Sequence, residues 1–197
     1  MQNPTAPPVV LASSSRYRRE LLGRCLDDFE TVSPGIDETP EPGASAEVVA
    51  ATLARKKAEA VSSTERDALI IGSDQLAVLD ERILGKPGDH QNAVEQLLAA
   101  SGRAVQFLTA VCILDAQNRH RYEYTDRTVV HFRRFDRRLA ESYLRQDEPY
   151  DCAGSFRIEG AGFVLFESVK TDDPTALIGL PMIWVAGRLL ELGYLLP

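Results

Sequence analysis

The chain has 197 residues, of which 44% are hydrophobic and 26% charged. That is the balance of a globular protein able to bury about 70% of its unfolded surface. With 22 Lys and Arg against 29 Asp and Glu, the net charge of −7 argues against a protein that coats nucleic acid or anionic membrane through bulk charge. No apolar run reaches the roughly 18 residues of a membrane span, and MQNPTAPPVVLASSS lacks the basic leader and long apolar stretch of a signal peptide. Cys25, Cys112 and Cys152 lack metal-ligand spacing and read as reduced thiols of a cytoplasmic protein.

Pro4, Pro7 and Pro8 mark residues 1–8 as a disordered or extended tail. Val9 to Ala12 is a short buried strand, and Ser13, Ser14 and Ser15 offer caps for a helix from Arg16 to about Leu26. Phe29 to Val32 is a second strand. The Pro/Gly-rich stretch from Ser33 to Ser45 is a loop, and Ser45 opens an Ala-rich helix to about Val61. Ala68 to Ser73 is a buried strand. Gln75 to Leu84 reads as strand, tight turn at Asp80-Glu81, and strand. A helix from Asn92 to Ala100 stops at Gly102. Val105–Leu114 and Tyr122–Phe132 form an antiparallel hairpin. A helix follows from Asp136 to Gln146, then a strand from Gly160 to Phe166 and a helix from Met182 to Leu192. Alternation in the first half and hairpins in the second predict an α/β fold with a mixed sheet.

The chain has no GxxxxGK[ST] loop, strand-borne GxGxxG, HExxH or paired CxxC, and His90, His120 and His131 are isolated in sequence. Its strongest positive feature is a strand, a serine triplet, and a helix that opens with Arg16, Arg18 and Arg19. Arginines in a first turn oppose the helix dipole, which makes sense if an anion sits there. A solvated basic face with a serine cap explains the spacing equally well. Asp37 and Glu38 lie in the Pro/Gly loop, and Asp74 comes directly after the apolar run ALIIGS, where α/β proteins place ligands. Such carboxylates suit Mg²⁺ or Mn²⁺. Lys86 sits between Gly85 and Pro87, and Lys56 and Lys57 come late in the second helix; either place could meet phosphate. In the small-residue stretch around 151–162, Cys152 reads as structural.

Taken together, LASSSRYRRELL at 11–22, GIDE at 35–38, LARKKA at 53–58, IIGSDQ at 70–75, ILGKP at 83–87, CAGSFRIEG at 152–160 and TALIGLP at 175–181 resemble the Maf family of nucleotide pyrophosphatases. The resemblance implies an elongated mixed α/β sheet flanked by helices, shared with inosine triphosphate pyrophosphatases. Residues 9–197 would form one domain with two lobes around a central cleft. It also implies a homodimer and a metal-dependent hydrolase that converts a small-molecule nucleoside triphosphate to a monophosphate and pyrophosphate, using Mg²⁺, Mn²⁺ or Co²⁺. Carried over residue by residue, Asp74 would be the proton acceptor. Glu38, Lys57 and Lys86 would complete the catalytic cleft, with Glu38 and Asp74 as metal ligands. Ser13, Arg18 and Arg19 would hold phosphates. Tyr17, Gln75 and Glu159 would select the base, and they place the chain nearer the YceF-like branch, the 7-methyl-GTP pyrophosphatases, than the branch acting on dTTP and UTP. In the YceF-like branch tryptophan is frequent where this chain has Tyr17, and proline is usual where it has Arg16. The alternatives are action on dTTP, UTP or other modified nucleotides, or a non-catalytic nucleotide-binding regulator of septum formation.

Overall fold

The computed structural model describes residues 6–197. Residues 1–5 of the expected tail lie outside the described residues. The three that follow are tied to the body: Leu69 donates its backbone N–H to Pro8 O at 2.9 Å, and the Tyr194 hydroxyl donates to Pro7 O at 2.7 Å.

The elements are β1 (Val9–Ala12), α1 (Arg16–Leu22), β2 (Glu30–Val32), α2 (Ala46–Ser62), β3 (Leu69–Leu79), β4 (Arg82–Leu84), α3 (His90–Ala100), β5 (Ala104–Asp115), β6 (His120–Phe132), α4 (Arg137–Asp147), β7 (Phe166–Lys170) and α5 (Met182–Glu191). Among the described residues the strands form one sheet of order β2-β1-β3-β5-β6-β7, with β4 also pairing with β3. The β1–β2 and β1–β3 pairs are parallel and the others antiparallel. The mixed α/β sheet flanked by helices is thus as the sequence predicts.

Three expectations need correction. Helix α1 ends at Leu22, not Leu26, because Gly23 caps it by donating to the carbonyls of Arg19 and Leu21. The stretch expected to be a strand from Gly160 is a 3-10 turn over Gly162–Leu165, and the strand begins at Phe166. An apolar reading of GFVLF missed this because Phe163 is exposed, so the run does not lie between two packed layers. The largest correction concerns Asp74. Strand β3 does not stop before it but continues to Leu79, so Asp74 stands in mid-strand, opposite Ala110 of β5.

That strand is the spine of the site. On one edge it pairs with β5 from Leu69 to Val78. On the other it pairs with β1 only as far as Ala12↔Gly72, and with β4 only from Ala77↔Leu84 onward. Between them, residues 73–76 have a strand neighbour on one side only. The β3–β4 hairpin is tight because Asp80 and Glu81 both take left-handed backbone angles, φ 44° and 67°, the geometry of a two-residue turn whose twist matches its strands.

The core divides into clusters around this spine. On one face of the β1 end, Ala50, Ala54, Ala58 and Val61 of α2 cover the sheet. On the other face, Leu21 and Leu22 of α1 and Val185 and Leu189 of α5 do so. At the far end of β3, Phe107, Phe132, Phe156 and Phe166 pack edge to face among themselves, in one cluster with Leu97 of α3 and Leu144 of α4. Each such large side chain contributes about 1.5–3 kcal/mol by leaving water. Helix α2 lies unusually close to the sheet. A Cβ on Gly72 would come within 2.3 Å of Ala54 O and 2.7 Å of the Ala58 nitrogen. Only glycine permits that approach, and it brings Lys57 down onto the middle of β3. Among the described residues, no helix is long and apolar enough to cross a membrane.

Candidate active site

A cleft of about 640 Å³ opens over residues 74–76, where neither β1 nor β4 covers the edge of β3. Its lining includes Ser13, Tyr17 and Arg18 from the β1–α1 junction, Glu38 from the long loop, Lys57 from α2, Asp74 and Gln75 from β3, Lys86 after β4, Cys152 and Glu159 from the loop after α4, and Leu177 to Gly179 before α5. Segments far apart in the chain therefore meet where the sheet is open.

At the floor, Lys57 Nζ lies 2.7 Å from Asp74 Oδ1 and 2.7 Å from Glu38 Oε1. Lys57 and Asp74 are both buried, at 6% exposure each, whereas the Glu38 side chain is about half exposed. Burial raises the Asp74 carboxyl above its ordinary range, although Lys57 and Arg18 pull the other way. Burial pushes Glu38 upward too, but the bond to Lys57 and the charges of Lys57, Lys86 and Arg18 outweigh it and hold Glu38 low. The two carboxylates thus differ: Glu38 is a settled anion, while Asp74 binds a proton more readily. Asp37 accepts the N–H of Thr39 at 2.9 Å, a local turn that shapes the segment carrying Glu38. Lys56, one residue from Lys57, is exposed.

The three arginines of α1 part company. Arg18 turns inward, donating through Nε to Gly179 O at 2.8 Å and facing Ser13 Oγ at 3.5 Å. Burial lowers its pKa while Asp74 and Glu38 oppose the shift, and a guanidinium stays charged in any case. Arg16 lies against Tyr17, its guanidinium 4.7 Å from the ring centroid and one nitrogen 2.7 Å from the hydroxyl. Arg19 is exposed and is not part of the cleft lining. The structure therefore does not bring Arg19, expected to hold phosphate, into the cleft with Arg18: one residue along a helix turns a side chain by about 100°, and the step from Arg18 to Arg19 leads into solvent.

Tyr17 and Glu159 line the outer end of the cleft, Lys86 lies close enough to Glu38 for its charge to act on that carboxyl, and both Glu159 and Lys86 are exposed. Gln75 stands at the floor, but its amide nitrogen is committed to Ala176 O at 2.8 Å, Leu177 O at 3.2 Å and Thr109 Oγ1 at 2.9 Å. Burial pushes the Cys152 thiol up to about 12, so it is an inert lining group, and all three cysteines are unpaired.

Sequence reasoning missed four contributors. Ser73 is fully buried and donates to Gly179 O at 3.0 Å. Thr109 is fully buried and donates to Ala176 O at 2.9 Å. Phe107 and Leu177 form apolar wall. A hydroxyl inside the apolar run of β5 was the available signal for Thr109, since a buried hydroxyl needs a partner.

A profile of the family described as "Maf-like protein" matches residues 8–192. The chain belongs to the Maf family. Similar proteins include a 7-methyl-GTP pyrophosphatase from Cupriavidus metallidurans, 46% identical over 98% of this chain and 98% of its own. Another, from Pseudomonas fluorescens, is 49% identical over 96% of this chain and 99% of its own, and one from Ralstonia nicotianae is 47% identical over 95% and 97%. Among solved structures, the Staphylococcus aureus Ham1 protein superposes with a TM-score of 0.53 at 15% identity, covering 93% of this Maf chain and 98% of its own, a likeness of fold.

Proposed function

We propose that this Maf protein hydrolyses 7-methyl-GTP to 7-methyl-GMP and pyrophosphate. The observation that carries the reading is the buried Lys57 ammonium, bonded at 2.7 Å to both Asp74 and Glu38 on the floor of a cleft that Arg18 and Ser13 also line. The names of the relatives that match it nearly end to end support the choice of nucleotide.

The chemistry follows from the charges. Asp74, the carboxylate whose proton affinity is raised, accepts a proton from water. The water oxygen bonds to the α-phosphorus, the bond from that phosphorus to the bridging oxygen breaks, and pyrophosphate leaves. Arg18, Lys57 and Lys86 offset the charge that gathers on the phosphate oxygens, with Ser13 as a neutral donor. Arg19 has no part in this. Glu38 and Asp74 stand side by side at the Lys57 ammonium, which engages one oxygen of each, although among the described residues no group of three or more His, Cys, Asp or Glu could hold a metal. That donor set fits Mg²⁺ or Mn²⁺, which take one or two carboxylates and complete their shells with phosphate and water. Glu38 and Asp74 would hold the cation, which would polarise the phosphates when bound.

At the outer end, Tyr17 already carries a flat cation on its ring face in Arg16. N7-methylation makes guanine a flat cation as well, and Glu159 in the same lining can accept from its N1–H and amino edge. Pyrophosphate release should be measured for 7-methyl-GTP, GTP, dTTP and UTP, with Mg²⁺ and after EDTA. The expected result is the highest kcat/KM for 7-methyl-GTP and loss of turnover in EDTA. A preference for dTTP or UTP overturns the substrate; full turnover after exhaustive EDTA overturns the metal.

A further inference from the structure

The segment before α5 forms one wall of the cleft through Leu177, Ile178 and Gly179, yet it belongs to no strand. It hangs on the sheet by its carbonyl oxygens. Gly179 O receives Ser73 Oγ at 3.0 Å and Arg18 Nε at 2.8 Å. Ala176 O receives Thr109 Oγ1 at 2.9 Å and Gln75 Nε2 at 2.8 Å, and Gln75 Nε2 also lies 2.9 Å from Thr109 Oγ1. Gln75 and Thr109 are directly opposite partners on β3 and β5. Gln75, Thr109 and Ala176 thus close a triangle.

Hydrogen counting shows what this leaves for a ligand. The Gln75 amide has two N–H groups, and three protein acceptors lie within bonding distance of its nitrogen. Thr109 has one O–H, which goes to Ala176 O, while its oxygen accepts from Gln75. The amide keeps no donor for a nucleobase. At the far end of the wall Gly179 has φ 128°, a backbone conformation that only glycine takes without strain, and a glycine has other angles open to it once its carbonyl is released.

Resting on the nucleotide reading of this cleft, we infer that Thr109 is a positioning residue for substrate selection, and that Gln75 acts with it through the 176–179 wall rather than by donating to the base. Residues 75 and 109 set where Leu177 and Ile178 stand, and the wall sets which ring fits. Misplacement by about 1 Å can cost on the order of a hundredfold in a positioned reaction, so a pair that ties the wall to the sheet has enough leverage.

The test compares the parent with Thr109→Val, Thr109→Ser, Gln75→Glu and the Thr109→Val/Gln75→Glu double variant. One readout is the ratio of kcat/KM for 7-methyl-GTP to that for UTP. The other is amide hydrogen exchange across residues 176–180, which needs no substrate. Thr109→Val removes the hydroxyl at nearly constant shape, and Gln75→Glu replaces the donors with a carboxylate facing two carbonyls. Each should lower the ratio about tenfold and speed exchange in the wall. The double variant should go little further, since both act on one carbonyl, while Thr109→Ser restores the ratio. Parent-like ratio and exchange in Thr109→Val overturn the inference. So does a ratio shift in Gln75→Glu with an unmoved wall, which would put Gln75 on the base. Should Thr109→Val fail to fold, Gln75→Glu and Thr109→Ser decide by the same two readouts. A parent that prefers UTP sinks the substrate reading instead, and the exchange arm still judges the wall.

Discussion

The floor of the cleft and its outer end are built differently. At the floor Lys57 and Asp74 are buried and bonded to each other, and Arg18 is tied to a backbone carbonyl. At the outer end Arg16 and Glu159 are exposed, and Tyr17 is held by side chains alone, with Arg16 lying on its ring and Arg157 and Cys152 beside it. Fixed charges act at once on a developing phosphate charge, because no dipole has to reorient. Exposed side chains can adjust to a base but contribute little before one arrives. The floor is thus suited to breaking the bond and the outer end to choosing the nucleotide. Substitutions at the floor should remove turnover for every nucleotide, and those at the outer end should redistribute it.

The sharpest test of that division is Asp74→Asn. The amide oxygen can still accept from Lys57, so the fold should persist while kcat falls by about 10²–10⁴, the usual contribution of a general base. Near-parental turnover in a stopped assay for pyrophosphate would remove Asp74 from that role. Lys57→Met should come next. It leaves Asp74 as a buried carboxylate without its ammonium, a loss on the order of 3–5 kcal/mol when the remaining charge is well buried, visible as a lower melting temperature. Its pH dependence also has a definite sign. Lys57 opposes the upward push of burial on Asp74, so removing it raises that carboxyl further. The acid limb of kcat/KM, where activity is lost as the base takes up a proton, should move to higher pH. An acid limb that stays put means that Asp74 is not the titrating base.

Arg18→Ala should raise KM about ten- to a hundredfold for all triphosphates alike, since a charge-assisted bond is worth roughly 1.5–3 kcal/mol. A large loss of thermal stability with unchanged KM would make Arg18 a structural prop for Gly179 instead. Arg19→Ala should do neither, and a KM effect there would place Arg19 on the phosphates after all. The smallest effect is expected at the outer end. Tyr17→Leu forfeits a cation–ring contact of about 0.5–2 kcal/mol, which is a few-fold to thirtyfold loss confined to the cationic base. If GTP and 7-methyl-GTP suffer equally, the ring contributes shape and not charge.

Much of the floor was legible in the sequence because its residues sit in short segments with unusual chemistry, such as LARKKA and IIGSDQ. What could not be read was orientation. Arg18 and Arg19 are equivalent in composition, and α1 has only seven residues, too few for an apolar stripe to say which side faces inward. Asp74 looked like a residue past a strand because three polar residues, Ser73 to Gln75, interrupt the apolar run. Its place inside a longer strand depends on β5 pairing beneath it, a contact between distant parts of the chain. The role of the Gln75 amide was hidden for the same reason, its partners lying 34 to 102 residues away. The helices, the hairpins and the 80–81 turn depend on neighbours in sequence and were placed to within a few residues.

The opening in the sheet has a size that comes in steps. It is bounded by the end of β1 at Gly72 and the start of β4 pairing at Ala77, so it spans the residues 73–76, and at about 3.3 Å per residue that is roughly 13 Å. Its width cannot drift continuously as a loop-bounded pocket can. Lengthening the β3–β4 hairpin pairing or β1 by one residue narrows it by a whole strand step and also turns the next side chain to the opposite face. The scaffold therefore acts as a ruler marked in residues, on which relatives can exchange the side chains around the opening freely but can alter its length only in discrete jumps.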